Sequence, residues 1–390
     1  MDANLSVSLS KFLHWVNTMN APLPQGSIEA VHASKLFQPT RIGDIEVANR
    51  VVMAPLTRSR ADEAAGDVPG SAMNIEYYRQ RSNAGLIISE GTPVSPIGKG
   101  YRATPGIYSD AQVEGWKPIT RAVHEAGSKI VAQIWHVGRV THPDLIGGAQ
   151  PVAPSAIAPR STAFTHNGKQ EIPVPHALTT QEIAEVVAQF RRGAANAIRA
   201  GFDGVEIHGA NGYLVDQFLR DGANQRSDAY GGSIENRCRF ALEVVDAVVA
   251  EIGAGRVGIR LSPVTPSNGL TDSHPQPVFA HLIEELNKRG IAFIHFVEGA
   301  TGGSRDVPGF DFAWARQAFK GTYIANNGYT RDMAMDAVDS GRADAVAFGR
   351  AYIANPDLVP RLKLGAPLNE PMPQTFYSPG PVGYIDYPML

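Results

Sequence analysis

Eight short apolar runs of β-forming residues, each followed by a stretch with helical periodicity, constrain this chain more than any other feature. The runs are Val51–Ala54, Leu86–Ser89, Ile130–Trp135, Val205–Ile207, Val257–Leu261, Phe293–Val297, Tyr323–Ala325 and Ala345–Phe348. Eight strands alternating with eight helices predict an α/β fold, the (β/α)8 TIM barrel. Between the runs, Ile183, Val187, Phe190, Ala194, Ala197 and Ile198 recur at the spacing of one helix face, as do Phe279, Leu282, Ile283 and Leu286. Thr179 with Glu182 and Ser109 with Gln112 have the capping-box spacing that satisfies free N–H groups at a helix start. Gly290 stands where a helix would end. A doubly wound open sheet is the alternative, but a Gly-rich phosphate loop should then follow the first strand, and Ala54–Arg58 reads Ala-Pro-Leu-Thr-Arg. The stretch from Val140 to Ala177, between strands three and four, is too long for a connection and is expected to be a capping insertion, with Ala163–Thr165 and Gln170–Ile172 forming a small hairpin.

The chain of 390 residues, 43% hydrophobic, is long enough for one large domain, expected over residues 36–390. A net charge of -3 gives no electrostatic case for nucleic acid or an anionic membrane. One cysteine, Cys238, excludes an intrachain disulfide and a cysteine-ligated iron–sulfur cluster, and fits a cytoplasmic protein with a buried helical thiol. No metal site is expected, and either a monomer or a homodimer is compatible with the composition. Residues 1–35 carry a small apolar cluster, Phe12, Leu13, Trp15 and Val16, without the marks of a secretory signal. They are expected to form a poorly ordered extension.

In a parallel barrel the C-terminal strand ends carry the active site, and polar residues collect there. His208 ends the fourth run, with Asn211 and Tyr213 close behind. His208 and Asn211 can each give a hydrogen bond to one oxygen, and Tyr213 keeps its proton at neutral pH. Two donors and an acid suit a reaction that polarises a carbonyl and then protonates a carbon. Thr57 follows the first run, Gln133 and Trp135 lie toward the end of the third, and Arg260 near the end of the fifth. A buried arginine needs a partner, either an interior carboxylate such as Glu206 or a ligand. The turns Asn326–Gly328 and Gly349–Arg350, after runs seven and eight, suit a phosphomonoester held by backbone N–H groups and one guanidinium.

Taken together, these motifs make the chain resemble the old yellow enzyme family of FMN-dependent ene reductases from about Leu36 to Leu390. The likeness rests on Leu36–Pro39, Asn49–Arg58, Leu86–Gly91, Gln133–His136, His208–Val215, Asn224–Arg237 and Ala347–Arg350 with Ile353–Leu358. The resemblance implies FMN as a non-covalent cofactor and NAD(P)H, NADPH favoured, as co-substrate. It implies that Pro55, Leu56 and Thr57 lie along the flavin, with the Thr57 hydroxyl on its O4 carbonyl and Gly91 beside that oxygen. Gln133 would meet the pyrimidine edge and Arg260 the N1 and O2 side. The phosphate would fall to Asn326, Asn327, Gly328, Gly349 and Arg350. Tyr101, Trp135 and Tyr377 match substrate-pocket positions, His208 and Asn211 the carbonyl-binding pair, and Tyr213 the proton donor. The chain departs from the family at its N-terminal extension and at Asn327, where glycine is frequent, and Gly91 replaces a frequent alanine. The resemblance further implies reduction of enones, enals, maleimides and nitroalkenes, with nitrate esters or nitro compounds as a side activity. A larger iron–sulfur relative is excluded by the single cysteine, and a Schiff-base aldolase by the absence of lysine from the eight runs. A non-enzymatic flavin carrier is disfavoured by the complete His/Asn/Tyr set.

Overall fold

All eight runs become parallel strands in the structure, a computed structural model that describes residues 33–390. They are β1 (Val51–Met53), β2 (Leu86–Ile88), β3 (Lys129–Trp135), β4 (Gly204–Gly209), β5 (Val257–Leu261), β6 (Phe293–Val297), β7 (Thr322–Asn326) and β8 (Ala345–Phe348). Each pairs with the next in chain order, and Val346 of β8 lies opposite Val51 of β1, so the sheet closes into a barrel. One helix follows each strand: α1 (Ala72–Gln80), α2 (Asp110–Glu125), α3 (Thr180–Arg199), α4 (Ile234–Ile252), α5 (Pro275–Arg289), α6 (Phe312–Ala318), α7 (Arg331–Asp339) and α8 (Leu358–Leu364). Two short helices, Leu214–Leu219 and Arg350–Ala354, are inserted directly after β4 and β8.

The helix boundaries follow from side-chain chemistry. Ser109 with Gln112 and Thr179 with Glu182 form complete capping boxes at the starts of α2 and α3. Gly290 ends α5 with φ of 63°, a left-handed angle that glycine adopts without strain. The inner face of α3 is Ile183, Val186, Phe190, Gly193, Ala194 and Ala197. Val187 and Ile198, expected on that face, are only half-buried at its flanks. Gly193 belongs to the inner face because a Cβ there would lie 2.7 Å from Val94, so this point of the helix packs closely on the segment after β2.

A hairpin of Thr40–Ile42 and Ile45–Val47 plugs the N-terminal end of the barrel. Its Ile42, Ile45 and Val47 join Leu86, Val131, Phe293 and Ala345 in one buried cluster. Each of the larger side chains, isoleucine, valine, leucine and phenylalanine, contributes about 1.5–3 kcal/mol by leaving water. This end is therefore built for stability, which leaves the opposite end free for chemistry.

Between β3 and β4, Val152–Ala153 pairs with His176–Ala177, and Thr162–Thr165 forms an antiparallel hairpin with Gly168–Glu171. Leu145, Ile146, Ala163 and Ile172 from this insertion pack on Trp135, with Tyr101 and Tyr213 against the same cluster. The cap thus braces an aromatic wall at the barrel mouth. Cys238 is buried within α4, and burial pushes its thiol up to about 12. Among the described residues no helix is long and apolar enough to cross a membrane. The expected N-terminal extension lies outside the described residues except for its last three positions.

Candidate active site

A cavity of about 630 Å³ opens at the C-terminal end of the barrel. Pro55, Leu56 and Thr57 line it after β1, Asn211 after β4 and Arg260 from β5. Asn326 closes it at the end of β7 with Asn327 and Gly328 just after, Gly349 and Arg350 after β8, and Tyr377 at its rim. Tyr101, Trp135, His208 and Tyr213 form an aromatic cluster joined to this cavity through Arg260, the cross-strand neighbour of His208. Tertiary structure thus brings together residues spread over more than three hundred positions of the chain.

His208 is buried and stacks on the Trp135 ring at 5.7 Å. Burial, then the Arg260 and His295 charges, hold its pKa well below the usual histidine range, so the ring is neutral. Its Nδ1 accepts the Ala210 N–H at 3.3 Å. A neutral imidazole has one acceptor and one donor nitrogen, so the proton sits on Nε2. His208 is fixed as a donor.

Asn211 adopts φ of 58°, and its N–H is tied to Ser262 Oγ at 2.8 Å. Its side-chain Oδ1 accepts the Thr301 hydroxyl at 2.6 Å, which leaves the Nδ2 group as the free end of the amide. Tyr213, partly buried, packs edge-on against Trp135 and His208 with centroids 4.8 Å and 5.0 Å away. Its hydroxyl lies 2.9 Å from that of Tyr101. Burial, then the neighbouring Tyr101, push the Tyr213 pKa well above the usual phenol value, so the proton is retained until something demands it.

The interior carboxylate Glu206 is not the partner of Arg260. Glu206 instead takes a hydrogen bond from Gln133 Nε2 at 2.8 Å and pairs with His295 Nδ1 at 2.7 Å. Arg260 gives one bond to the neutral Asn326 amide at 2.9 Å, while its buried Nε has no partner among the described residues. A buried guanidinium held by a neutral amide retains positive charge for a ligand. Arg350, also lining the cavity, is exposed beside the turn at Gly349. These features fit FMN: a cavity of cofactor size lined by a guanidinium with only a neutral partner and by a second, exposed one.

Gly91, which stands where alanine is frequent in the resembling family, lies against the Trp135 ring. A Cβ at this position would lie 2.3 Å from Trp135 Cε3, so glycine is what allows the indole to sit here. Residues that sequence reasoning missed are Thr301, Gly302 and Gly303 after β6, Phe376 near the C-terminus, and the Glu206–His295 pair. The Gly-rich run from Gly299 to Gly303, directly after a strand, was the available signal for the first group.

Comparison with known proteins agrees with this geometry. Residues 35–369 match the model of the NADH:flavin oxidoreductase / NADH oxidase family. The chain is 46% identical over 371 residues to 12-oxophytodienoate reductase 1 of Oryza sativa subsp. japonica, covering 93% of this chain and 95% of the rice protein. The solved structure of morphinone reductase in complex with tetrahydroNAD superposes with a TM-score of 0.86 at 48% identity, covering 91% of this chain and 97% of that one. An old yellow enzyme homologue from Zymomonas mobilis gives a TM-score of 0.88 at 45% identity, covering 91% of this chain and all (100%) of that one. The barrel, its polar mouth and these matches together mean that the chain belongs to the NADH:flavin oxidoreductase / NADH oxidase family, as an FMN-dependent oxidoreductase of the old yellow enzyme type.

Proposed function

We propose that the protein reduces activated alkenes, namely enones, enals, maleimides and nitroalkenes, in a cytoplasmic setting with NADPH as the favoured reductant. Nitrate esters and nitro compounds are a side activity on this reading. The observation that carries it is the pair of fixed donors, His208 Nε2 and Asn211 Nδ2, beside a protonated Tyr213. FMN, when bound and reduced by NAD(P)H, would supply the hydride for the alkene β-carbon. Gln133 and Arg260 would hold its pyrimidine side, Thr57 and Gly91 the O4 side, and Gly349 with Arg350 its phosphate.

The two donors would hold the substrate carbonyl or nitro oxygen. Because both are fixed before substrate arrives, they stabilise charge building on that oxygen without reorganising. Tyr213 would then give its proton to the α-carbon. The Tyr101 hydroxyl, 2.9 Å away, can turn its own hydrogen toward the oxygen left behind. Tyr101, Trp135 and Tyr377 would shape the pocket around the alkene, and the cap behind Trp135 keeps that wall dry.

The test is anaerobic. The yellow FMN-loaded protein should bleach with NADPH and regain its colour when an enone such as 2-cyclohexenone is added. Bleaching with no recovery from any of the four alkene classes would remove the ene-reductase reading while leaving a flavin oxidoreductase.

A further inference from the structure

The turn of the Asn211 amide is not settled by its own backbone. The N–H is held by Ser262 and the carbonyl by Asn268 Nδ2 at 3.1 Å, but the side chain could present either its oxygen or its NH2 group to the cavity. Presenting the oxygen would set two acceptors against each other at the substrate carbonyl. Something else must choose.

Proton accounting identifies what chooses. Thr265 Oγ1 lies 3.0 Å from the Gly299 carbonyl, which can only accept, so the single Thr265 hydrogen is spent there. The same oxygen accepts the Thr301 N–H at 3.2 Å, which fixes Thr301 in place. The Thr301 hydroxyl then has two possible acceptors, Thr265 Oγ1 at 3.2 Å and Asn211 Oδ1 at 2.6 Å. The first is long for an O–H···O bond and the second is short, so the hydrogen goes to Asn211. Its Oδ1 is thereby occupied, and Nδ2 faces the cavity.

The loop carrying Thr301 is itself held. Asn327, whose φ of 112° would suit glycine better, gives its Nδ2 to the carbonyls of Glu298 at 2.7 Å and Ala300 at 3.0 Å. Its Oδ1 accepts the Gly302 N–H at 3.2 Å. Backbone strain at Asn327 is tolerated because three hydrogen bonds bracket the Thr301 segment. Glu298, at the root of the loop, is fixed by Tyr323 at 2.9 Å and Tyr329 at 2.6 Å.

We propose that Thr301 is a positioning residue that sets which end of the Asn211 amide meets the substrate oxygen, and that Asn327 holds the loop from which it acts. The inference rests on the proposed role of Asn211 as a carbonyl donor. It makes the β6 loop part of the substrate-recognition apparatus and gives the asparagine at position 327 a purpose that glycine could not serve.

The experiment uses the FMN-loaded full chain and titrates 4-chlorophenol, whose phenolate oxygen can only accept, following its long-wavelength band over the flavin. Thr301→Val keeps the shape and removes the hydroxyl, and should weaken phenol binding about 10-fold, the loss of roughly one hydrogen bond. Thr301→Ser should restore affinity to within about twofold of the original protein. In an Asn211→Ala background Thr301→Val should have no further effect, because the group it orients is gone. Asn327→Gly relieves the positive φ and should still weaken binding, though less than Thr301→Val. Wild-type affinity in Thr301→Val, or an equal loss with and without Asn211, overturns the inference. Unchanged affinity in Asn327→Gly removes its second half. Failure of the wild-type protein to give the band overturns the Asn211 assignment itself, and the two failures are thus distinguishable.

Discussion

On the proposed reading, the neutral ring of His208 serves as a hydrogen-bond donor and Tyr213, whose pKa is raised by burial, as the proton source. This division predicts the behaviour of Tyr213→Phe, which keeps the ring and loses only the proton. Flavin reduction by NADPH should proceed at close to the wild-type rate, because that half-reaction takes no proton from the phenol. Enone reduction should slow by about 10²–10⁴-fold, the usual contribution of a placed general acid. Nitroalkenes should suffer less, since the nitronate is stable enough to take a proton from water. Rapid-mixing kinetics on each half-reaction check this, and equal slowing of both would mean a disturbed pocket. Gly91 offers a second test at the same scale. Gly91→Ala places a methyl group 2.3 Å from a Trp135 carbon, so the indole must move. Overpacking of this kind costs about 1–3 kcal/mol, measurable as a lower urea midpoint. An unchanged midpoint would show that Trp135 yields freely.

Turns after β7 and β8 do at the level of elements what no isolated residue could. Arg350 follows Gly349 after β8, and Asn326 ends β7 with Asn327 next, so the neighbouring strand ends bring both turns to the same cavity. Arg350→Ala should weaken FMN retention through loss of a charge-assisted bond, by about 1.5–3 kcal/mol in affinity. Fluorescence of FMN released on dilution measures it, and undiminished retention would place the phosphate elsewhere. The elements themselves were legible because their signals are local. The apolar runs marked the strands to within one or two residues, and Thr179 and Ser109 marked helix starts through bonds spanning three positions. On α3 four of the six expected face residues are buried, while Val186 and Gly193 take the place of Val187 and Ile198; the contact of Gly193 with Val94 spans too much chain for a local pattern to record.

At the scale of the whole molecule, Glu90 ties three distant segments together. It is buried, accepts the Arg58 N–H at 3.1 Å, and sits beside the Tyr78 hydroxyl. Arg58 in turn clasps the carbonyls of Phe376 at 3.2 Å and Gly383 at 2.7 Å, holding the C-terminal segment against the barrel mouth. Burial raises the Glu90 pKa from the ordinary 4.5 to about 7. Between these values the unfolded chain has released the proton that the folded chain still binds. Stability from this group therefore falls as pH rises from about 4.5 to about 7, by up to about 3 kcal/mol. Glu90→Gln cannot ionise, so the stability of the wild-type protein relative to this variant should decline across that window. Urea unfolding at several pH values checks it, and a constant difference would mean that Glu90 is ionised in the fold throughout.

By itself the sequence determined the barrel, its capping insertion and the position of the polar residues at its mouth. Those properties are carried by periodicity, capping pairs and strand-end placement, which act over a few residues. Tertiary structure alone decided that Glu206 pairs with His295 while Arg260 is held by the neutral Asn326, that the Trp135 indole lies against Gly91, and that Thr301 turns the Asn211 amide. Each of these is a contact between residues more than forty positions apart, set by how strands and loops meet around the barrel. No local pattern records such a meeting, because its energy belongs to the pair and not to either stretch of chain.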